Sequence, residues 1–256
     1  MSNITQRGSF GPLGLTANGG SFQTSTDVAL QTLVGSRWDL SDGREVALGY
    51  TAAATTVVAG YFYQNAALIA GLQGVTVTGF TASSTNGNVP ASLTLTTGSS
   101  TAVTAGAYAG GFVVVQSSTG IGQTLKIANN TAATAAGSYA MTITLEDNPA
   151  VALTTSSVVN VIPQPGYNVV ISPAAASLTN TEFGVSLYAI APSTYGFFVT
   201  HGNTALVAVS AGVAAGSSIS VGAAGAAVIL SAGLPVLGHN GAALAASSAN
   251  VAYVEL

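Results

Sequence analysis

A hydrolytic centre needs a nucleophile, a base and a group that orients the base. The chain has two histidines, His201 and His239, in Thr-His-Gly-Asn and Gly-His-Asn-Gly. They lie far apart, each beside Gly or Asn at the end of an expected strand or turn, and no carboxylate neighbours either. No G-x-S-x-G elbow occurs. Both read as surface or turn histidines, and the chain is not expected to be an enzyme. Gly-Ile-Gly-Gln-Thr-Leu (120–125) opens like a phosphate-binding loop, but its sixth position is Leu125, and the following LKIANN alternates like a strand where a helix should begin. It reads as a tight turn between strands. Lys126, the only lysine, with Asn129, Asn130 and Glu146 supplies the parts of a self-formed Lys–Asn isopeptide bond, which requires a desolvated amine. A hairpin closed symmetrically about 129–138 puts Lys126 opposite about Met141 and Glu146 well beyond, so that bond is not expected. Glu146-Asp147, ahead of Asn148-Pro149, reads as a solvated turn. With no cysteine and no histidine–acid spacing, neither a metal site nor a cofactor is expected.

The elements that carry these residues are shaped by an unusual composition. Charged residues make up 5% of the 256, against about 25% in ordinary soluble domains. No charge occurs between Glu45 and Lys126, and mean hydropathy is +0.55. The apolar content is Ala, Val and Gly more than Leu and Phe. The best candidate span, 221–238, is diluted by Gly, Ser and Pro, and the aromatics are too irregular for the girdles of a membrane barrel. No basic stretch followed by an apolar one opens the chain, so no secretion leader and no membrane association are expected. Net charge is −4 with four basic residues, which leaves no basic patch for nucleic acid. A surface of Ser, Thr, Asn and Gln has little charge to hold copies apart. The inference is that much of it is covered by other protein.

Short β-branched and aromatic runs punctuated by Gly, Asn, Pro and Ser predict an all-β chain of antiparallel sandwich- or barrel-like domains. Residues 1–28 read as an extended irregular arm, with Phe10, Leu13, Leu15 and Phe22 as apolar anchors able to order against a partner. A central all-β domain is expected over 29–175 and a C-terminal β-rich domain over 176–256. RWDL and REVALGY flank Asp42-Gly43, a hairpin signal. The hairpin reads either as cross-strand charge pairs or as a contact patch of Arg37, Trp38 and Arg44, since Trp and Arg dominate interface hot spots. VTVTGF and SLTLTT predict a second hairpin around Asn86-Gly87. Further strands are expected near 111–117, 121–128, 139–146, 151–153, 157–162 and 167–172, then at EFGVSLYAI, TYGFFVTHG, ALVAVSAG, SSISVG, AAVIL and VAYVEL. Ala-Gly steps at Gly60, Gly106 and Gly216 suggest one turn used three times, with glycine supplying a positive φ.

The order of segments resembles a known group. GSRWDLSDGREVALGY, AGGFVVVQ with GIGQTLKI, TLEDNPAVALTTSS and YGFFVTHG are similar to pieces of the capsid-associated decoration, cement or minor capsid proteins of tailed bacteriophages, over residues 34 to about 210. The resemblance implies a non-enzymatic virion protein that binds the outside of the capsid, partnered by the major capsid protein and by copies of itself as a trimer or dimer. Its expected capsid contacts are the anchors Phe10, Leu13, Leu15 and Phe22, with Arg37, Trp38 and Arg44 as a second patch. The alternative is a tail or head-fibre adhesin binding a host glycan, for which Tyr61-Phe62-Tyr63 is the aromatic candidate.

Overall fold

The computed structural model describes residues 26, 28–40, 42–83, 90–98, 102–135, 139–173, 179–207, 214–229, 236–241 and 249–256. Phe10, Leu13, Leu15, Phe22 and the Asn86-Gly87 turn lie outside them. A 3-10 turn at Val28–Leu33 precedes β1 (Arg37–Asp39), β2 (Glu45–Thr51) and β3 (Phe62–Gln64). There follow β4 (Val75–Thr81), β5 (Ser92–Thr96), β6 (Phe112–Ser117), β7 (Thr124–Asn130), β8 (Ala140–Leu145) and β9 (Val158–Ile162). The chain ends with β10 (Tyr167–Ile171), β11 (Glu182–Ser186), β12 (Tyr195–Val207), β13 (Ser218–Val221), β14 (Ala227–Ile229), β15 (Gly238–Asn240) and β16 (Ala249–Glu255). The fold is all-β, with antiparallel ladders throughout except β2–β10, which is parallel.

The division into units differs from the expected one. Ala67–Gln164 forms one unit, and the chain up to Ala66 joins Pro165–Leu256 in the other. A boundary at 175/176 fails because β2 and β3 find their partners late in the chain. β2 pairs with β10 and β12, and β3 pairs with β10 and β11. Local alternation specifies a strand but not its neighbour.

In the inserted unit, β4-β5-β8-β7-β6-β9 close into a six-stranded barrel. β6, β7 and β8 form a meander and β5 returns beside β8, a Greek-key connection. Each strand turns two side chains inward, and β8 three: Val75 and Val77, Leu93 and Leu95, Val113 and Val115, Leu125 and Ile127, Met141, Ile143 and Leu145, Val159 and Val161. Full burial of each such side chain contributes about 1.5–3 kcal/mol. The outward positions between them are Thr76, Thr94, Thr142 and their like, which is why TVT, SLTLT and TIT read as strands.

In the other unit a ten-stranded sheet runs β1-β2-β10-β3-β11-β12-β16-β15-β13-β14, and a further β2–β12 ladder links β2, β10, β3, β11 and β12 in a ring. Each ring strand gives one residue to a shared aromatic core: Ala47, Val169, Tyr63, Phe183 and Phe198, closed by Val57 and Ile190. Outside the ring, Leu30, Val34, Val46, Leu48, Phe197 and Val199 form one core. Phe62 and Val185 meet Leu206, Ile219, Val221, Ala252 and Val254 in another. Asn65, at the departure to the inserted unit, accepts the Gly166 N–H at 2.6 Å and donates to Thr181, tying the outgoing chain to the returning one.

The expected strand at 151–153 is absent. The Gln123 side-chain amide instead takes both the Val151 N–H (3.1 Å) and its carbonyl (3.0 Å), so that backbone is satisfied off any ladder. TYGFFVTHG and the start of ALVAVSAG are one strand, β12, which passes through Gly202 at φ 102 without reversing. The three Ala-Gly turns share a geometry. Gly60, Gly106 and Gly216 have φ of 79, 75 and 78°, and each N–H donates to a strand carbonyl, of Ser186, Asn130 and Asn240 respectively. In two of them the asparagine amide also reaches back, Asn130 Nδ2 to the Thr104 carbonyl and Asn240 Nδ2 to the Ala214 carbonyl.

Candidate contact surfaces

The β1–β2 hairpin carries Arg37, Trp38 and Arg44, but neighbouring positions of β1 turn Arg37 and Trp38 to opposite faces. Its reversal runs from Leu40 to Arg44, closed by Leu40 N–H to the Arg44 carbonyl at 2.7 Å, with Gly43 at φ 82. Arg44 lies on Asp42 through Nε (2.8 Å) and Nη2 (2.6 Å). That side-chain hydrogen bond holds the Asp42 carboxyl below its ordinary value. Arg37, 54% exposed, bonds Glu45 across the ladder at 2.8 Å, and Glu45 also accepts the Thr200 hydroxyl at 3.0 Å. Trp38 is half-buried, its ring edge-on to Phe197 at 5.5 Å. The indole is thus largely a core residue, and both guanidinium groups already hold carboxylates.

Lys126 corrects the expected register. The β7–β8 reversal is centred later than 129–138, with Asn130 opposite Ile143 and, past a bulge, Ile127 opposite Leu145, and the Glu146 N–H donates to the Lys126 carbonyl. Lys126 Nζ therefore sits 2.8 Å from Glu146, as an ion pair 46% exposed at the lysine. The amine is solvated, the opposite of what an isopeptide bond requires. Asn130 is occupied in clasping the Gly106 turn. Gly-Ile-Gly-Gln (120–123) is the turn between β6 and β7, with Gly120 and Gly122 at φ 85 and 86° and Ile121 67% exposed. Phe62 and Tyr63 are fully buried, which removes two of the three rings from the glycan platform.

The sequence reading missed one assembly. On the solvent face of β12, β16 and β15, Asn203, Tyr253 and His239 lie in one row, with Ser218 beyond on β13. Tyr253 and His201 are bonded at 2.8 Å, oxygen to Nε2. Both histidines therefore share one face, beside exposed Val251 and opposite Glu255. The alternation of VAYVEL aligns Val251, Tyr253 and Glu255, but no local signal pairs them with His201 or His239. Ser218 Oγ and His239 Nδ1 stand 3.4 Å apart, a long contact, and Glu255 is opposite His201 instead of behind His239. The row does not make a nucleophile–base–acid relay. Among the described residues no group of three acidic, histidine or cysteine side chains gathers for a metal, and no helix is long and apolar enough to cross a membrane.

Compared with protein-family models, curated proteins and solved structures, the chain matches none.

Proposed function

We propose that the chain is a non-enzymatic phage virion protein that binds the outer surface of the capsid and cements neighbouring capsomers, contacting the major capsid protein and further copies of itself. Support comes from the segment resemblance, and one observation carries the physical argument. Each of the three described basic side chains is already paired within the chain, Arg37 with Glu45, Arg44 with Asp42 and Lys126 with Glu146. Beyond those pairs the described exposed charges are few, Asp39, Asp147 and Glu255, and most of the rest is hydroxyl, amide and apolar, including Ile121, Val151 and Val251. Such a surface lacks the charge that steers a diffusing ligand and suits close, repeated protein contact. On a symmetric shell many modest contacts add up, so no single site has to be strong.

The test is composition of the particle. DNA-filled heads purified from infected cells are expected to carry the protein at a fixed number per capsomer. A few copies per particle, at a vertex or on the tail, would overturn the reading. Removing residues 1–28 is expected to abolish head binding while the β-rich circular dichroism spectrum is kept.

A further inference from the structure

Beside Phe62, on the face of β3 and β11 that points out of the ring, lies a polar group with no opposite charge against it among the described residues. Gln64 on β3 and Glu182 on β11 are directly opposite in the ladder, so their side chains leave the same face. The Cβ atoms of such a pair stand about 4.5–5.5 Å apart, within reach of two long side chains. Gln64 is 2% exposed, and its amide N–H donates to Thr179 Oγ1 at 2.7 Å. Glu182 Oε2 accepts the Ser172 hydroxyl at 2.6 Å. This leaves Gln64 Oε1 and Glu182 Oε1, both buried, both acceptors, with no donor among the described residues. Two such oxygens cannot satisfy each other when the carboxyl is ionised. One proton on Glu182 converts an acceptor to a donor and completes the pair.

We propose that Glu182 is held in the folded sheet as a neutral carboxylic acid that donates to Gln64 Oε1, and that its ionisation is the event that loosens the β3–β11 pairing. The groups that face it do not oppose this. The ionisable side chains on the strands packed around it are Tyr63 on β3, Tyr167 on β10, and Tyr195 and His201 on β12. His201 is engaged with Tyr253 on the solvent face. Burial is the main influence on Glu182 and raises its pKa to about 7, with only the Ser172 hydrogen bond acting the other way. The folded chain therefore keeps a proton that the unfolded chain releases near 4.5. This stabilisation is complete below the unfolded value and is lost as pH rises through about 7.

Two measurements on the full chain decide it. The carboxyl carbon resonance of Glu182 is expected to titrate with a midpoint above 6; a midpoint at or below 6 overturns the proposal. The isosteric Glu182→Gln variant supplies the missing donor at every pH. Hydrogen exchange of residues 62–64 and 182–186 at pH 8 is expected to be slower in E182Q than in the native chain, with the two converging at pH 5. Equal or faster exchange in E182Q at pH 8 overturns the latch. So does a rise in the melting midpoint of the native chain, absent in E182Q, on adding calcium chloride, since the two oxygens would then be cation ligands. If E182Q does not fold, the carboxyl titration still decides.

Discussion

The barrel of Ala67–Gln164 and the ring around Tyr63, Phe183 and Phe198 differ in what fills them. The strands line the barrel interior with branched aliphatic side chains and one methionine, two from each strand and three from β8. The ring holds large aromatic side chains with Ala47 and Val169 among them, and the rings are accommodated by glycine. A Cβ on Gly49 would lie 2.7 Å from Phe183 and 2.8 Å from Phe198, and one on Gly184 would lie 2.6 Å from Phe198 Cβ. The barrel is also sequence-local, all its strands falling within one continuous stretch, whereas the ring joins strands from both sides of the insertion. Aliphatic side chains can be packed by simple alternation. Aromatic packing instead requires space left on the neighbouring strands, and those strands are distant in sequence.

The comparison can be broken by substitution in each core. Phe198→Ala is expected to remove about 3–5 kcal/mol from the ring, read by urea unfolding, while amide protection in 67–164 stays as it was. Simultaneous loss of both would make the two units one cooperative body. Ile143→Ala in the barrel is expected to cost about 2–5 kcal/mol and to leave the Tyr63–Phe198 region protected. Gly184→Ala, which overpacks the ring, is expected to cost about 1–3 kcal/mol. Gly122→Ala sharpens the contrast, because nothing lies within 4 Å of the new Cβ and only its φ of +86° opposes it. A loss of about 1–2 kcal/mol is expected there. Arg37→Ala, on an exposed pair, is expected to change stability by less than about 1 kcal/mol, and less still in high salt.

The pH dependence also separates two sites within the ring unit. Asp42 titrates below its ordinary 3.8 because Arg44 bonds it. Its stabilisation is therefore present above that value and lost as pH falls through the lowered one. Glu182 has the opposite sign, losing stabilisation as pH rises through about 7. Melting midpoints of the native chain from pH 2 to 9 are expected to decline at both ends, and Arg44→Ala is expected to flatten only the acid side.

Much of the barrel was legible. VTVTGF, SLTLTT and SYAMTITL alternate cleanly, and alternation with one buried face is the physical content of such a strand. The Asp42-Gly43 hairpin and the repeated Ala-Gly turn were legible because a positive φ selects glycine locally. The Lys126–Glu146 pair was misread because the β7–β8 reversal is centred later than 129–138: Asn130 faces Ile143, so Lys126 meets Glu146, five residues beyond Met141. Val151 was misread because a distant side chain, Gln123, took the place of a strand neighbour. Of the candidate surfaces, the hairpin of Arg37, Trp38 and Arg44 was foreseen as a place. A cross-strand charge pair, realised as Arg37–Glu45, was one of its two readings, while the packing of the indole on Phe197 was in neither. The row of His201, Tyr253 and His239 was invisible, since the three residues meet only through the β12–β16 and β15–β16 ladders.

The sequence by itself determined that this chain is β-structured, where most of its turns fall and that its surface is nearly without charge, because strand alternation, glycine φ and composition are local properties. Only the tertiary structure decided which strands are neighbours. From that follow the inserted barrel, the glycine-lined aromatic ring and the meeting of Glu182 with Gln64. Burial and pairing depend on residues that the chain brings together from far apart, and no local pattern encodes that proximity.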